Sequence, residues 1–152
     1  MVKMNYIIYD LEFNQRITET DASSLPFEII QIGALKLNEN FKEVSSFNSF
    51  VKPTVHKEIH PFIENLTGIN KAKVDAYKSF PEVYEDFLSF AGNDEIVLCV
   101  FGTVDIKELL RNIKFHKLTA LNFKLFIDVQ RYASKYFKCP KGIKIGLKNA
   151  VE

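Results

Sequence analysis

The chain has 152 residues, 47% of them hydrophobic and 26% charged, and a net charge of +1. That length suits one domain with a real core, and the composition is that of a soluble globular protein. No segment reaches transmembrane length, and the opening run MVKMNYIIYD meets acids too early for a signal peptide, so membrane and secretory classes are set aside.

The two cysteines, Cys99 in an apolar run and Cys139 before a proline, read as free thiols in a reducing cytosol. A cytoplasmic protein is expected. The small net charge hides an asymmetry. Residues 1–100 carry 9 Lys/Arg against 15 Asp/Glu, and residues 101–152 carry 11 against 4. Lys135, Lys138, Lys141, Lys144 and Lys148 crowd the second region. Such a split suits a protein holding cations at one place and phosphates at another. Lysines that simply face water explain it equally well.

In chain order, Tyr6 to Tyr9 are β-branched or aromatic and predict a strand covered on both faces. It ends in Asp10 and Glu12. Residues two apart share a strand face, so the two carboxylates point one way and Leu11 points into the core. Paired acids repel, so they stand either in water at a strand end or around a divalent cation. QRITETDASSLP reads as a loop, FEIIQIGALKLN as a second strand and KEVSSFNSFVKP as a third, in an antiparallel meander. Pro61 and Gly68 bound a helix. FPEVYEDFLSFAG predicts another, with Val83, Phe87, Phe90 and Ala91 facing the core.

EIVLCVFG is a buried strand, expected beside the first one. TVDIKELLRNIKF follows as a helix with Ile106, Leu109, Leu110 and Ile113 on its apolar face. FKLFIDV is a strand, and Val129, Tyr132, Ala133, Tyr136 and Phe137 repeat a helical spacing. The order fits a mixed sheet flanked by helices. In such a sheet Asp105, in the first helical turn after Gly102, can lie beside Asp10 and Glu12. Acids also favour helix N-termini on their own account. Three acids around one or two hard cations make a phosphoryl-transfer site.

These motifs together resemble the DEDD family of 3′–5′ exonucleases, over nearly the whole chain. IIYDLEFN is similar to the family's first motif, FEIIQIGALKL to its second strand and FVKPTVHKEIHPFIENLTGI to its loop and helix. FGTVDIKELL is similar to its second motif, and FIDVQRYASKYF to its later strand and helix, where Asp128 suits a helix cap better than a ligand. The resemblance implies a ribonuclease-H-like α/β fold. It implies two divalent cations, Mg²⁺ or Mn²⁺, roughly 3.5–4 Å apart. Asp10 would bridge them, supported by Glu12 and Asp105. It also implies removal of nucleotides from single-stranded DNA or RNA 3′ ends. Phe13, Leu66 and Thr67 stand where the family touches the terminal nucleotides. Phe13 also suits a core aromatic, and Leu66 and Thr67 a helix C-terminal contact.

The family's third motif, a general-base His or Tyr and a last Asp, is not found. Leu147, Ala150 and Val151 begin a helix at the chain end, and the family's next helix belongs beyond residue 152. His56, His60 and His116 read as surface residues. The expectation is a single exonuclease-like domain lacking its last helix, weak or inactive, with self-association possible through the surface left open. The alternative is a non-catalytic nuclease-like fold that regulates by binding nucleic acid or protein.

Overall fold

The computed structural model describes residues 3–18 and 25–152. The predicted loop over residues 15–26 therefore lies in part outside the described residues. Among the described residues five strands form one sheet: β1 (Met4–Gln15), β2 (Phe27–Leu37), β3 (Glu43–Phe50), β4 (Glu95–Val100) and β5 (Leu125–Asp128). Their spatial order is β3-β2-β1-β4-β5. The β1–β2 and β2–β3 pairs are antiparallel, while β1–β4 and β4–β5 are parallel. The expected mixed sheet is therefore present, with β4 beside β1.

The helices are α1 (Pro61–Thr67), α2 (Lys71–Asp75), α3 (Phe80–Ala91), α4 (Val104–Phe115), α5 (Val129–Tyr136) and α6 (Leu147–Val151). The five-residue α2 has too few turns to leave a periodic signal and was not predicted. It starts where the Asn70 side chain accepts from the Lys73 N–H. α1 stops at Gly68, whose φ of 72° suits a residue without Cβ.

Ile7, Tyr9 and Leu11 of β1 join Ile96, Leu98 and Val100 of β4 in the main core. To these α3 adds Phe80, Val83, Tyr84 and Phe87, and α4 adds Ile106, Leu109 and Ile113. Leu110 was expected on that face but is 41% exposed. Its place is taken by Asn112, which is fully buried because it mends the sheet. Its Oδ1 accepts from the Ile29 N–H at 3.2 Å, and its Nδ2 donates to the Phe27 and Glu108 carbonyls at 3.0 and 2.9 Å. A β-bulge lies there, since Glu12 pairs with Gln31 but Phe13 with Ile29. The extra residue turns Ile29 into the main core and Ile30 into a second cluster with Ile59, Ile63, Ile69 and Val74.

The opposite face of the sheet is open beside β1. Ile8 is 38% exposed, so the strand is not covered on both faces. α5 buries none of its residues despite its helical spacing.

Two polar side chains fix the loop before α1. Glu28, 1% exposed, accepts from the Thr54, Val55 and His56 N–H groups at 2.6, 3.0 and 2.7 Å. Asn14 Nδ2 donates to the His56 and Glu58 carbonyls, and its Oδ1 accepts from the His60 N–H, each at 2.9 Å. Removing the Glu28 carboxylate strands backbone donors away from water. Glu28→Ala is therefore predicted to cost about 3 kcal/mol or more in urea denaturation, with Glu28→Gln recovering part of it. A loss under about 1 kcal/mol would mean that water or a neighbouring group replaces the clamp.

Candidate active site

The part of β1 beyond its pairing with β4, and the β4–α4 junction, build this site. Asp10 and Glu12, expected to end the strand, stand inside it, because β2 goes on pairing with β1 to Gln15. β4 follows β1 residue for residue up to Ile8 opposite Cys99 and stops at Val100. The next β1 residues have lost their neighbour on that side. Gly102, with φ 91°, turns the chain into α4, and Asp105 falls in the first helical turn. From there its carboxylate stands close enough to Asp10 to feel its charge, and the backbone at Leu11 favours its ionised form.

The structure brings Asp105 to Asp10 and Glu12. Burial, then the charge of Asp10, pushes the Asp105 carboxyl up to about 7. Burial and then Asp10 also raise Glu12. Among the described residues none of the three pairs with a Lys or Arg. All their donor atoms are hard oxygens, the set that Mg²⁺ and Mn²⁺ prefer. Yet among the described residues no three His, Cys, Asp or Glu side chains close around one point as a finished metal cage. The chemistry of these oxygens fits a divalent cation.

Asp10 also borders a groove of about 630 Å³ on the open sheet face, together with Ile8, Gly33, Leu35, Val129 and Leu147. Gly33 lies directly across from Asp10 in β2, and the space where its Cβ would stand is empty. The carboxylate is therefore not walled in from that side.

Phe13 is half-buried against the main core and meets the Phe27 ring at 6.2 Å. Leu66 is 68% exposed in the last turn of α1, which packs on β1. Thr67 Oγ1 donates to the Ile63 carbonyl and accepts from the Ile69 N–H, so it shapes the helix end. Asp128 caps α5, accepting from Arg131 N–H, and also accepts from Gly102 N–H at 3.0 Å. It thereby ties α5 to the turn that carries Asp105.

The histidines are occupied elsewhere. His56 was expected at the surface but is 5% exposed, with its Nε2 2.7 Å from the Leu25 carbonyl, because the Glu28 clamp pulls its segment inward. His60 is half-buried and caps α1, its Nδ1 accepting from the Phe62 N–H. His116, also half-buried, packs on Phe80 and Phe115.

Sequence reasoning missed Tyr9. Its buried hydroxyl has no hydrogen-bond partner among the described residues, and burial, then Asp105, pushes its pKa up. It also missed Asn14 and Glu28. Glu28 carried a signal, an acid set between Phe27 and the apolar pair Ile29 and Ile30, whereas Asn14, flanked on its own strand face by Glu12 and Arg16, carried none.

A mixed sheet with paired acids in its central strand, joined by an acid from the next strand-to-helix junction, defines a ribonuclease-H-like nuclease fold. The chain belongs to the RNase T exonuclease family, whose model matches residues 7–151, within the DEDD group of 3′–5′ exonucleases. It is 44% identical over 125 residues to ERI1 exoribonuclease 3 of Mus musculus, covering 75% of this chain and 37% of that protein. The chain thus spans little more than a third of that relative. Among solved structures, the nuclease domain of 3′hExo, a DEDDh family member bound to rAMP, superposes with a TM-score of 0.74 at 22% identity, over 90% of this chain and 72% of that one. The cell-death related nuclease CRN-4 does so with 0.76 at 22% identity, over 96% and 52%. Both show the same fold.

Proposed function

We propose that this chain is a metal-dependent 3′–5′ exonuclease domain acting on single-stranded 3′ ends, with RNA as its substrate. The observation that carries the reading is Asp105 standing beside Asp10 and Glu12, raised by burial and by their charges, with no Lys or Arg paired to any of them among the described residues. The 44% identity to an exoribonuclease favours RNA over DNA. Asp10, Glu12 and Asp105 would hold Mg²⁺ or Mn²⁺. The bound cations supply positive charge where the phosphodiester gains negative charge. Gly33 leaves the Asp10 side open for the end of the strand. Leu66 and Phe13 offer apolar surface for the last bases, on elements fixed by Asn14 and Glu28.

Among the described residues the three histidines are engaged elsewhere, at the Leu25 carbonyl, at the start of α1 and against Phe80 and Phe115, which leaves the general base unassigned. A missing general base typically costs about 10²–10⁴-fold in rate. The 152-residue chain is therefore expected to hydrolyse slowly, and added imidazole to speed it. The same observation favours a second reading, a nuclease-like fold that binds nucleic acid without turnover. A 5′-labelled RNA and its DNA counterpart, each with Mg²⁺ or Mn²⁺, decide between them. Stepwise shortening from the 3′ end, blocked by a 3′-phosphate, supports the exonuclease. Binding with no metal-dependent shortening supports the second reading. The apolar groove with its exposed Ile8, Leu35 and Leu147 also supports self-association, which chromatography at several concentrations reads directly.

A further inference from the structure

From Val129 to Val151 the chain carries six Lys/Arg and no Asp or Glu. Arg131, Lys135, Lys138, Lys141 and Lys144 are exposed, and among the described residues none pairs with a carboxylate. Lys148 meets only Glu152, at 3.9 Å. Aromatic rings stand among these charges. Tyr132 and Tyr136 are 66% and 79% exposed, and Phe137 is half exposed. Tyr132 and Tyr136 are four residues apart in α5 and so share one helix face. Tyr136 meets Phe137 edge-on, with ring centroids 5.1 Å apart.

The platform is built rather than loose. Gln130 Nε2 donates to the Ile145 carbonyl at 2.9 Å, and Ser134 Oγ accepts from the Ile145 N–H at 3.0 Å. These bonds fold the lysine-bearing loop back along α5. The platform also starts at the candidate active site, because Asp128 binds the Gly102 turn and Val129 lines the groove beside Asp10. The eight residues of α5 extend about 12 Å, room for three or four nucleotides at about 3.4 Å each.

We propose that α5 and the loop after it form a binding surface for single-stranded nucleic acid, holding the strand a few nucleotides upstream of the end presented to the acids. Lysines neutralise phosphates, and exposed rings stack on unpaired bases without regard to sequence. The inference rests on nucleic acid being the substrate. It concerns strand length and affinity rather than the chemical step.

The test is fluorescence anisotropy with labelled RNA in EDTA, where no metal-dependent cleavage occurs. Oligonucleotides of 4 and 16 residues are compared for wild type, the triple variant K135Q/K138Q/K141Q and the double variant Y132A/Y136A. Wild type should prefer the longer strand. The lysine variant should lose at least about tenfold on it and flatten the salt dependence by about two units of slope. The tyrosine variant should lose about tenfold or more. Binding of the short strand should change little, and both variants should melt like wild type. Unchanged long-strand affinity and salt slope in the variants would overturn the proposal. So would equal affinity for a duplex, or for anionic vesicles, or a dimer that the variants convert to monomer while RNA binding persists. Failure here, with metal-dependent cleavage of short ends intact, leaves the exonuclease reading standing. Loss of long-strand binding in the variants, with no cleavage by wild type, removes that reading and keeps this surface.

Discussion

Replacing Asp10 by Asn is expected to lower the rate of metal-dependent 3′-end hydrolysis by on the order of 10³-fold. Asp10 is the acid that touches both parts of the site. Its charge raises both Asp105 and Glu12, and it borders the groove. An amide keeps the shape and the strand register but removes the negative charge that attracts a cation. Charge stabilisation by a bound cation is worth several kcal/mol in phosphoryl transfer, which sets the size of the loss. Asp105→Asn should behave alike. The double variant should fall little further than either single one, because groups acting as a unit are not additive. Single-turnover assays in Mn²⁺ measure the rate, and calorimetry measures the cation directly. If Asp10→Asn stayed within threefold of wild type and bound Mn²⁺ with equal heat, the chemistry would have to lie elsewhere.

The second large effect is on stability without metal. Asp105 is pushed from 3.8 up to about 7 in the folded chain, by burial first and by Asp10 next. Between those values the folded state keeps a proton that the unfolded state has lost. Stability must then fall as pH rises through that window. The contribution is intact below about pH 4 and gone above about pH 7. The site is open to water on one side, so screening reduces the loss to about 1–2 kcal/mol. An asparagine side chain at this position cannot ionise. In EDTA at pH 8, Asp105→Asn should therefore melt higher than wild type, with the gap closing toward pH 4. Added Mg²⁺ should stabilise wild type, which gains from losing the proton, and should do less for the variant. Melting curves at pH 4 and 8 with and without Mg²⁺ check this. A gap independent of pH would show that Asp105 does not titrate in that window.

Together these expectations describe a site held in tension until a cation arrives. Its three acids are close enough to disfavour each other's charge but are not arranged as a cage. The backbone at Leu11 supplies part of the compensation by favouring the Asp105 carboxylate. The rest is available to a metal, which is the physical reason to expect cation binding and activity to fail together.

Much of this was legible in the chain itself. Strand and helix patterns were strong because apolar residues recur at the right spacing, and Gly68, Pro61 and Gly92 mark the ends of helices. Asp10 and Glu12 share a face by strand geometry alone. The five ordered motifs carried the family. What failed were features that depend on a partner distant in sequence. Leu110 looked like core, and Asn112 did not. The choice was made by the Ile29 N–H at a bulge 83 residues away. His56 looked like surface until Glu28 drew its segment inward.

The sequence by itself determined the elements other than α2, their order, the sheet's mixed character and the pair of acids on β1, because these follow from local periodicity and stereochemistry. Only the tertiary structure decided that Asp105 stands beside Asp10 and Glu12. That required the pairing of β4 with β1 to end two residues short of Asp10 and leave room beside the strand for a helix carboxylate. It alone left one sheet face open and α5 unburied. Exposure is set by what packs against a residue, and periodicity does not encode that.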